Sequence, residues 1–369
     1  TEAEEADVFI LNTCTVTHTA DAKARHLLSR VKRKNPNAVL VATGCYAQRN
    51  PEELVRLVDL VVDNHGKDKL LEKLKEVGVT LGSQLPQKAG AGTFRTRAFV
   101  KIQDGCTNFC AYCIVPYVRT EEKSLPAAGI LAMVQKLEGE GYREIVLTGT
   151  RIGAYDDKGT DLHRLVEKLL AETEITRFRL SSLQPQEITS ALLSLWQDAR
   201  LCPHFHLSLQ SGSGGVLKRM NRRYNPAEYE KMVKLIRKTI PEVAITTDVI
   251  VGFPGETDTE FKESLDFCRR MHFARIHVFM FSPRAGTKAA TMPGQVNEKV
   301  KKARSQEILA LAKESANEFR GQFSGELRDV IWEKQEDGVW SGVTGNYIRV
   351  FKQGAKNLGN RVEKVKLKW

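Results

Sequence analysis

The stretch DGCTNFCAYCIVPYVR, Asp104 to Arg119, decides how the chain is read. It holds Cys106, Cys110 and Cys113 in a C-x3-C-x2-C spacing, directly after an apolar segment, FVKIQDG, that begins at Phe99. Three thiolates this close can take three corners of a cubane iron–sulfur cluster and leave one iron open. A zinc site would need a fourth Cys or His at compact spacing. None is near, since His65 lies far upstream and His163 far downstream. The cysteines therefore predict an iron–sulfur centre in preference to zinc.

Outward from this loop, strand-like and helix-like segments alternate. The strand candidates are FVKIQDG, EIVLTG, RFRLSS, HFHLSLQ, AITTDVIVGF and RIHVFMFS, and the helices between them include Ala127–Glu140, Asp161–Glu172, Pro226–Thr239 and Asp258–His272. Parallel strands with right-handed helical crossovers are the expected product, giving a partial (β/α)6 barrel with ligands at the C-terminal ends of its strands. Upstream, the runs Val8–Leu11, Val39–Thr43 and Leu60–Val62 alternate with helical stretches at Ala22–Lys32 and Pro51–Leu57, a separate α/β domain. A Gly-, Gln-, Ala- and Pro-rich segment, Gly82–Thr93, reads as the linker between the two. After a helix at about Asn297–Arg320, the segments ELRDVIWEK, GVWSGVTG, NYIRVFKQG and RVEKVKLKW predict a small antiparallel β-barrel. The expected fold is thus α/β with boundaries at 1–93, 94–320 and 321–369. The opening TEAEEADVFILNTC runs straight into a strand, so the chain is expected to begin inside a domain.

Composition narrows the function classes. With 41% hydrophobic and 27% charged residues over 369 positions, the chain is globular rather than disordered, and long enough for more than one core. Lys and Arg number 56 against 45 acids, a net +11 that suits a polyanionic partner, although solubility alone also accounts for it. No apolar run approaches the ~20 residues of a membrane span, and no signal peptide is evident. A cytoplasmic, reducing location is expected, where seven cysteines serve metal or redox chemistry rather than disulfides.

C-x3-C-x-aromatic-C, with Tyr112 as the aromatic, resembles the radical S-adenosylmethionine signature. The resemblance implies that the open iron chelates the methionine amine and carboxylate and cleaves the sulfonium to a 5′-deoxyadenosyl radical. Cys14 in LNTCTVTHTADAK and Cys45 in VATGCYAQRNP each follow an apolar strand. Taken alone, they fit buried small hydrophobes equally well. NTCTV and TGCYAQ, however, resemble the N-terminal domain of the methylthiotransferases, and LSSLQPQEI, HLSLQSGS, LKRMNRRYNPAEY, TTDVIVGFPGET and SPRAGTKAA carry the likeness over nearly the whole chain. That resemblance implies two 4Fe–4S clusters, the second held by three cysteines and involved in sulfur insertion. The family's first cluster cysteine has no counterpart here, and an upstream segment is the expected reason. Cys202 and Cys268 read as core residues.

Strand ends around the cluster are expected to hold S-adenosylmethionine: Gly149 and Thr150 after the second strand, Gln210 and Ser211 after the fourth, Val251 and Gly252 after the fifth. Arg222 is the candidate for the methionine carboxylate. GFPGE taken alone is only a turn, and no P-loop or G-x-G-x-x-G is present. In the last 24 residues, seven Lys or Arg stand against one acid, interleaved with aromatics, which suits phosphate contact and base stacking. Most of the module's aromatics, Trp332, Trp340, Tyr347, Phe351 and Trp369, are expected to fill its own core, and the module resembles the RNA-binding TRAM domain.

The resemblance implies methylthiolation of an unreactive aromatic C–H on a modified adenosine of the tRNA anticodon stem-loop, with an electron donor protein such as flavodoxin or ferredoxin. NTCTVTHTAD, HFHLSLQSGS and LKRMNRRYNP look most like the branch acting on N6-threonylcarbamoyladenosine. Arg151, Arg222, Arg223 and Arg284 are the candidate cations for the threonylcarbamoyl carboxylate. The alternatives are an enzyme of isopentenyl-adenosine tRNA, one of a ribosomal protein, or a non-catalytic iron–sulfur RNA-binding protein.

Overall fold

The computed structural model describes residues 6–80, 96–354 and 356–369, so the expected linker lies outside the described residues. The chain forms two compact units. The first contains the N-terminal residues together with Cys106–Glu121 and Ser282–Thr291. Its sheet is parallel, in the order β1 (Val8–Thr13), β2 (Val39–Gly44), β3 (Leu60–Val62). Helix α1 (His18–Lys34) is capped by the Thr17 side chain, which accepts from Ala20 N, and buries Ala24, Leu28 and Val31 at helical spacing. Those residues share a core with Leu40, Ala42, Tyr46 and Leu54. Short helices α2 (Cys45–Arg49), α3 (Pro51–Val55) and α4 (Leu70–Glu76) complete the N-terminal part, and α5 (Val115–Val118) follows the cysteine loop.

The second unit carries β4 (Arg97–Asp104), β5 (Lys123–Ser124), β6 (Glu144–Gly149), a two-residue hairpin β7 (Asp156–Asp157) and β8 (Thr160–Asp161), then β9 (Arg177–Leu180), β10 (Ser182–Leu183), β11 (His204–Leu207), β12 (Ala244–Val251) and β13 (Arg275–Met280). Its helices are α6 (Ala127–Gly139), α7 (Leu162–Glu172), α8 (Ser190–Ser194), α9 (Gly214–Arg219), α10 (Pro226–Thr239), α11 (Asp258–Met271) and α12 (Glu298–Gly321). Capping boxes Asn225/Glu228 and Thr257/Glu260 start α10 and α11 where polar residues precede the apolar periodicity.

The six expected strands all form, but the third is divided. One sheet runs β5-β4-β6-β9 and a second β10-β11-β12-β13. Ser181 N still donates to Leu147 O of β6, whereas Ser182 and Leu183 already pair with His206 and Leu207 of β11. The strand changes partner at Ser181, which lets two twisted sheets continue one parallel array instead of flattening. Phe178, Leu180, Phe205, Leu207, Ile245, Val249 and Ile276 face the helices and make the main core.

The C-terminal sheet is antiparallel, in the order β16 (Arg349–Gln353), β15 (Val339–Thr344), β14 (Leu327–Glu336), β17 (Val362–Lys366). Trp332 and Trp340 fill its core, but Phe351 and Trp369 are exposed and Tyr347 stacks on His204, so the expectation that most of the module's aromatics fill it is not met. The sheet covers the N-terminal ends of the parallel strands. Arg177 donates to the carbonyls of Val343 and Asp329 at 3.1 and 2.6 Å, and Arg179 donates to Gly345 O at 3.0 Å. Arg179 is anchored at 2.8 Å to Glu144, a fully buried carboxylate.

Candidate active site

In the first unit Thr13 of β1 pairs with Gly44 of β2, so Cys14 and Cys45 leave neighbouring strand ends side by side in register. The chain turns into α2 through Gly44 at φ 100°, and a Cβ there would lie 2.3 Å from Thr13 O. Only glycine fits that close approach. Cys14 is exposed and Cys45 buried. Arg119 Nε donates to Cys45 Sγ at 3.4 Å, and Asn64 Nδ2 lies 3.8 Å from the same sulfur while donating to Val118 O at 3.0 Å. Ile114 and Val118 pack against Cys45.

On the cysteine loop Cys106, Cys110 and Cys113 form no disulfide and are each half-buried. The loop folds back through Phe109, whose φ of 47° is left-handed, and Cys113 N donates to Cys110 O at 2.9 Å. Phe109 meets Tyr117 edge-on at 5.7 Å, and Ala289 N donates to Ala111 O at 2.7 Å. Among the described residues no three His, Cys, Asp or Glu side chains are already gathered at metal-binding geometry. The donor set itself, three cysteines outside any disulfide at C-x3-C-x2-C spacing on a partly open loop, fits ligation of a 4Fe–4S cluster with one iron left open.

Beside the Cys14 and Cys45 segments lies a group that sequence reading did not find. Arg284, 1% exposed, donates through Nη2 to Asp21 at 2.6 Å and to Thr15 Oγ1 at 2.7 Å, and Arg49 approaches the same Thr15 and Asp21 at 3.1 and 3.5 Å. Two guanidinium groups thus share one carboxylate. Thr15 follows Cys14, and Arg49 ends the helix that Cys45 begins. Arg284 is committed here as a buried ion-pair partner.

In the second unit the other expected contacts stand at the C-terminal ends of the parallel strands. Gly149 ends β6, and a Cβ on it would lie 2.6 Å from Gln103 O. Thr150 Oγ1 donates to Asp104 at 3.3 Å. Gln210, at φ 70°, exchanges backbone hydrogen bonds with β12, donating to Asp248 O and accepting from Ile250 N, both at 2.8 Å. Ser211 is fully buried and its hydroxyl accepts from Ser213 N at 3.2 Å. Val251 ends β12, and Gly252, at φ 72°, donates its N–H to Glu256 at 2.7 Å. Arg222 donates to the Tyr224 hydroxyl at 3.0 Å, and that hydroxyl donates to Leu209 O at 2.8 Å, which ties the residue to the end of the fourth strand. Arg151 is held by Glu187 at 2.6 Å and Glu122 at 3.5 Å. Cys202 and Cys268 are fully buried, with burial pushing their thiols up to about 11 and about 12. No helix among the described residues is long and apolar enough to cross a membrane.

Residues 100–268 match the Radical SAM superfamily, and residues 1–63 match the family described as Uncharacterized protein family UPF0004. The Threonylcarbamoyladenosine tRNA methylthiotransferase MtaB of Bacillus subtilis (strain 168) is 36% identical over 99% of this chain and 86% of its own length. The tRNA-2-methylthio-N(6)-dimethylallyladenosine synthase of Pelotomaculum thermopropionicum is 36% identical over 91% and 80%. Among solved structures, the radical S-adenosylmethionine methyltransferase TsrM from Kitasatospora setae, with cobalamin and a 4Fe-4S cluster bound, aligns at TM-score 0.58 over 77% of this chain and 65% of that one. Its 14% identity makes this a likeness of fold. Identity above a third across nearly the full length of both proteins is a likeness of whole chains, and the chain belongs to the tRNA methylthiotransferase family of radical S-adenosylmethionine enzymes.

Proposed function

We propose that the protein adds a methylthio group to C2 of N6-threonylcarbamoyladenosine beside the tRNA anticodon, using S-adenosylmethionine and two 4Fe–4S clusters. One observation carries the proposal: three cysteines in C-x3-C-x2-C follow the first strand of a parallel array, in a chain that aligns almost end to end with relatives named for that reaction. When bound, the cluster with the open iron supplies the electron that cleaves S-adenosylmethionine to a 5′-deoxyadenosyl radical. Cys106, Cys110 and Cys113 hold that cluster, and Cys14 and Cys45 supply two ligands of the other.

Tyr112, Gly149, Thr150, Gln210, Ser211, Val251 and Gly252 line the S-adenosylmethionine site in this reading, with Arg222 for its carboxylate. Residues 1–93, 94–320 and 321–369 act as sulfur-inserting, radical-generating and RNA-binding domains. A small electron carrier of the flavodoxin or ferredoxin kind reduces the clusters in the cytoplasm. A loop adenosine needs no duplex unpairing to be presented.

A second reading, methylthiolation of isopentenyl-adenosine tRNA, draws on the relative from Pelotomaculum thermopropionicum. The test is a paired anaerobic assay with both tRNAs at equal concentration, scored by nucleoside mass. Methylthio-threonylcarbamoyladenosine should dominate, and preference for the isopentenyl substrate would overturn the branch. Absence of 5′-deoxyadenosine with either tRNA would instead support an iron–sulfur RNA-binding protein.

A further inference from the structure

Arg284, which belongs to the first unit, is a buried cation with donors left over. It uses one nitrogen, Nη2, for both of its bonds, to Asp21 at 2.6 Å and to Thr15 Oγ1 at 2.7 Å. Its Nε and Nη1 have no partner among the described residues. A guanidinium shut off from water needs acceptors for its N–H groups, and leaving them unmet is costly. Asp21 answers Arg49 and Arg284 through the same oxygen, Oδ2, so two cations stand against one carboxylate. Widening the circle does not neutralise it, because Arg25 brings its own acid, Glu53, at 3.4 Å. One positive charge remains in excess.

A purely structural ion pair has a better geometry available. Two parallel N–H···O bonds would engage two donors and both carboxylate oxygens, whereas here Asp21 Oδ1 has no partner either. The excess charge is tied instead to both cysteine segments. Thr15, fully buried, holds both arginines and is the residue after Cys14. Arg49 stands four residues after Cys45 on α2, so the two side chains are neighbours one turn apart. A further guanidinium, Arg119, donates to Cys45 Sγ itself at 3.4 Å. A neutral thiol is a weak hydrogen-bonding group and gains little from such surroundings. A 4Fe–4S cluster on three thiolates is a net anion whose charge grows on reduction, and cations and N–H donors at its sulfurs favour the reduced form.

Resting on the reading of Cys14 and Cys45 as cluster ligands, we propose that Arg284, braced by Asp21, Thr15 and Arg49, is a positioning residue for that cluster. Its free Nε–H and Nη1–H donate to the cluster's sulfurs, and the excess charge of the network raises the reduction potential. Asp21 sets the amount of charge, because it cancels one of the two cations it holds.

The test is a redox titration, followed by electron paramagnetic resonance, of the full chain in a Cys106→Ala, Cys110→Ala, Cys113→Ala background, where only the cluster of Cys14 and Cys45 remains. Arg284→Gln should lower the midpoint by about 59 mV or more, tenfold in the one-electron equilibrium. Arg284→Lys, which keeps the charge, should recover most of that shift. Asp21→Asn should move the midpoint the opposite way, upward. Iron and sulfide content per chain shows which variants are loaded. If Arg284→Gln does not fold, Arg49→Gln carries the same downward sign from a less buried position. Unmoved midpoints in loaded variants, or shifts of one sign for arginine and aspartate changes alike, would reduce the network to a structural ion pair and overturn the proposal while Cys14 and Cys45 remain ligands. Absence of any iron–sulfur signal in the background protein, with Arg284 intact, would overturn the ligand reading and the proposal with it.

Discussion

Gly44 and Cys45 show how much a single position carries in the first unit. The glycine permits a turn that no side chain could make, and the cysteine that follows is met by donors from Arg119 and Asn64. Two donors aimed at one buried sulfur suit a thiolate ligand more than a core-packing thiol. Replacing Cys14 and Cys45 together with Ala should therefore eliminate methylthiolated nucleoside while 5′-deoxyadenosine still forms, because radical generation uses the other cysteines. Normal product yield from that double variant would remove them from the mechanism. Replacing Cys106, Cys110 or Cys113 with Ala should abolish 5′-deoxyadenosine itself and leave a folded protein, since none of the three lies in a hydrophobic core. Cofactor cleavage by the triple variant under reducing, anaerobic conditions would show that the loop is misassigned.

At the scale of elements, β17 and the two residues that follow it divide by face. Glu363, Val365 and Leu367 turn inward, with Glu363 accepting from Trp332 Nε1 at 3.1 Å, while Lys364, Lys366 and Lys368 are exposed at period two. A row of cations on one strand face presents a regular line of charge to a phosphate backbone. Neutralising the three lysines to Gln should weaken tRNA binding and reduce the slope of log K against log salt by roughly 0.7 to 0.9 per lost phosphate contact. Filter binding across a salt series measures this, and an unchanged slope would mean the row is only solvated. The same period-two pattern in RFRLSS, HFHLSLQ and RIHVFMFS was visible in the sequence as polar residues alternating with apolar ones. What it could not reveal is which face encloses a cavity, because alternation looks the same whether the polar face meets water or a lumen.

For the molecule as a whole, the buried histidines couple stability to pH. Burial, reinforced by the positive Arg179 nearby, holds His204 well below the usual imidazole range, so it stays neutral in the fold. The unfolded chain binds that proton near the ordinary value of 6.5, and the native state does not. Stability is therefore complete above that value and falls as pH drops through and below it, with a limiting slope of about 1.4 kcal/mol per pH unit for one such group. Melting temperatures between pH 7.5 and 5 should decline for the wild type and decline less steeply for His204→Gln, and parallel curves would show that His204 does not carry the dependence. The sequence by itself determined the cysteine spacing, the strand–helix alternation, the apolar faces of α1, α10 and α11 and the antiparallel C-terminal segments, because each is a local periodicity or a short-range ligand set. Tertiary structure alone decided that Cys14 and Cys45 stand on paired strand ends, that Asp21 is shared by Arg49 and Arg284, and that the third strand splits at Ser181. Those facts depend on strand order, register and the pairing of buried charges across long sequence separations, where the energy comes from desolvated partners that no local pattern names.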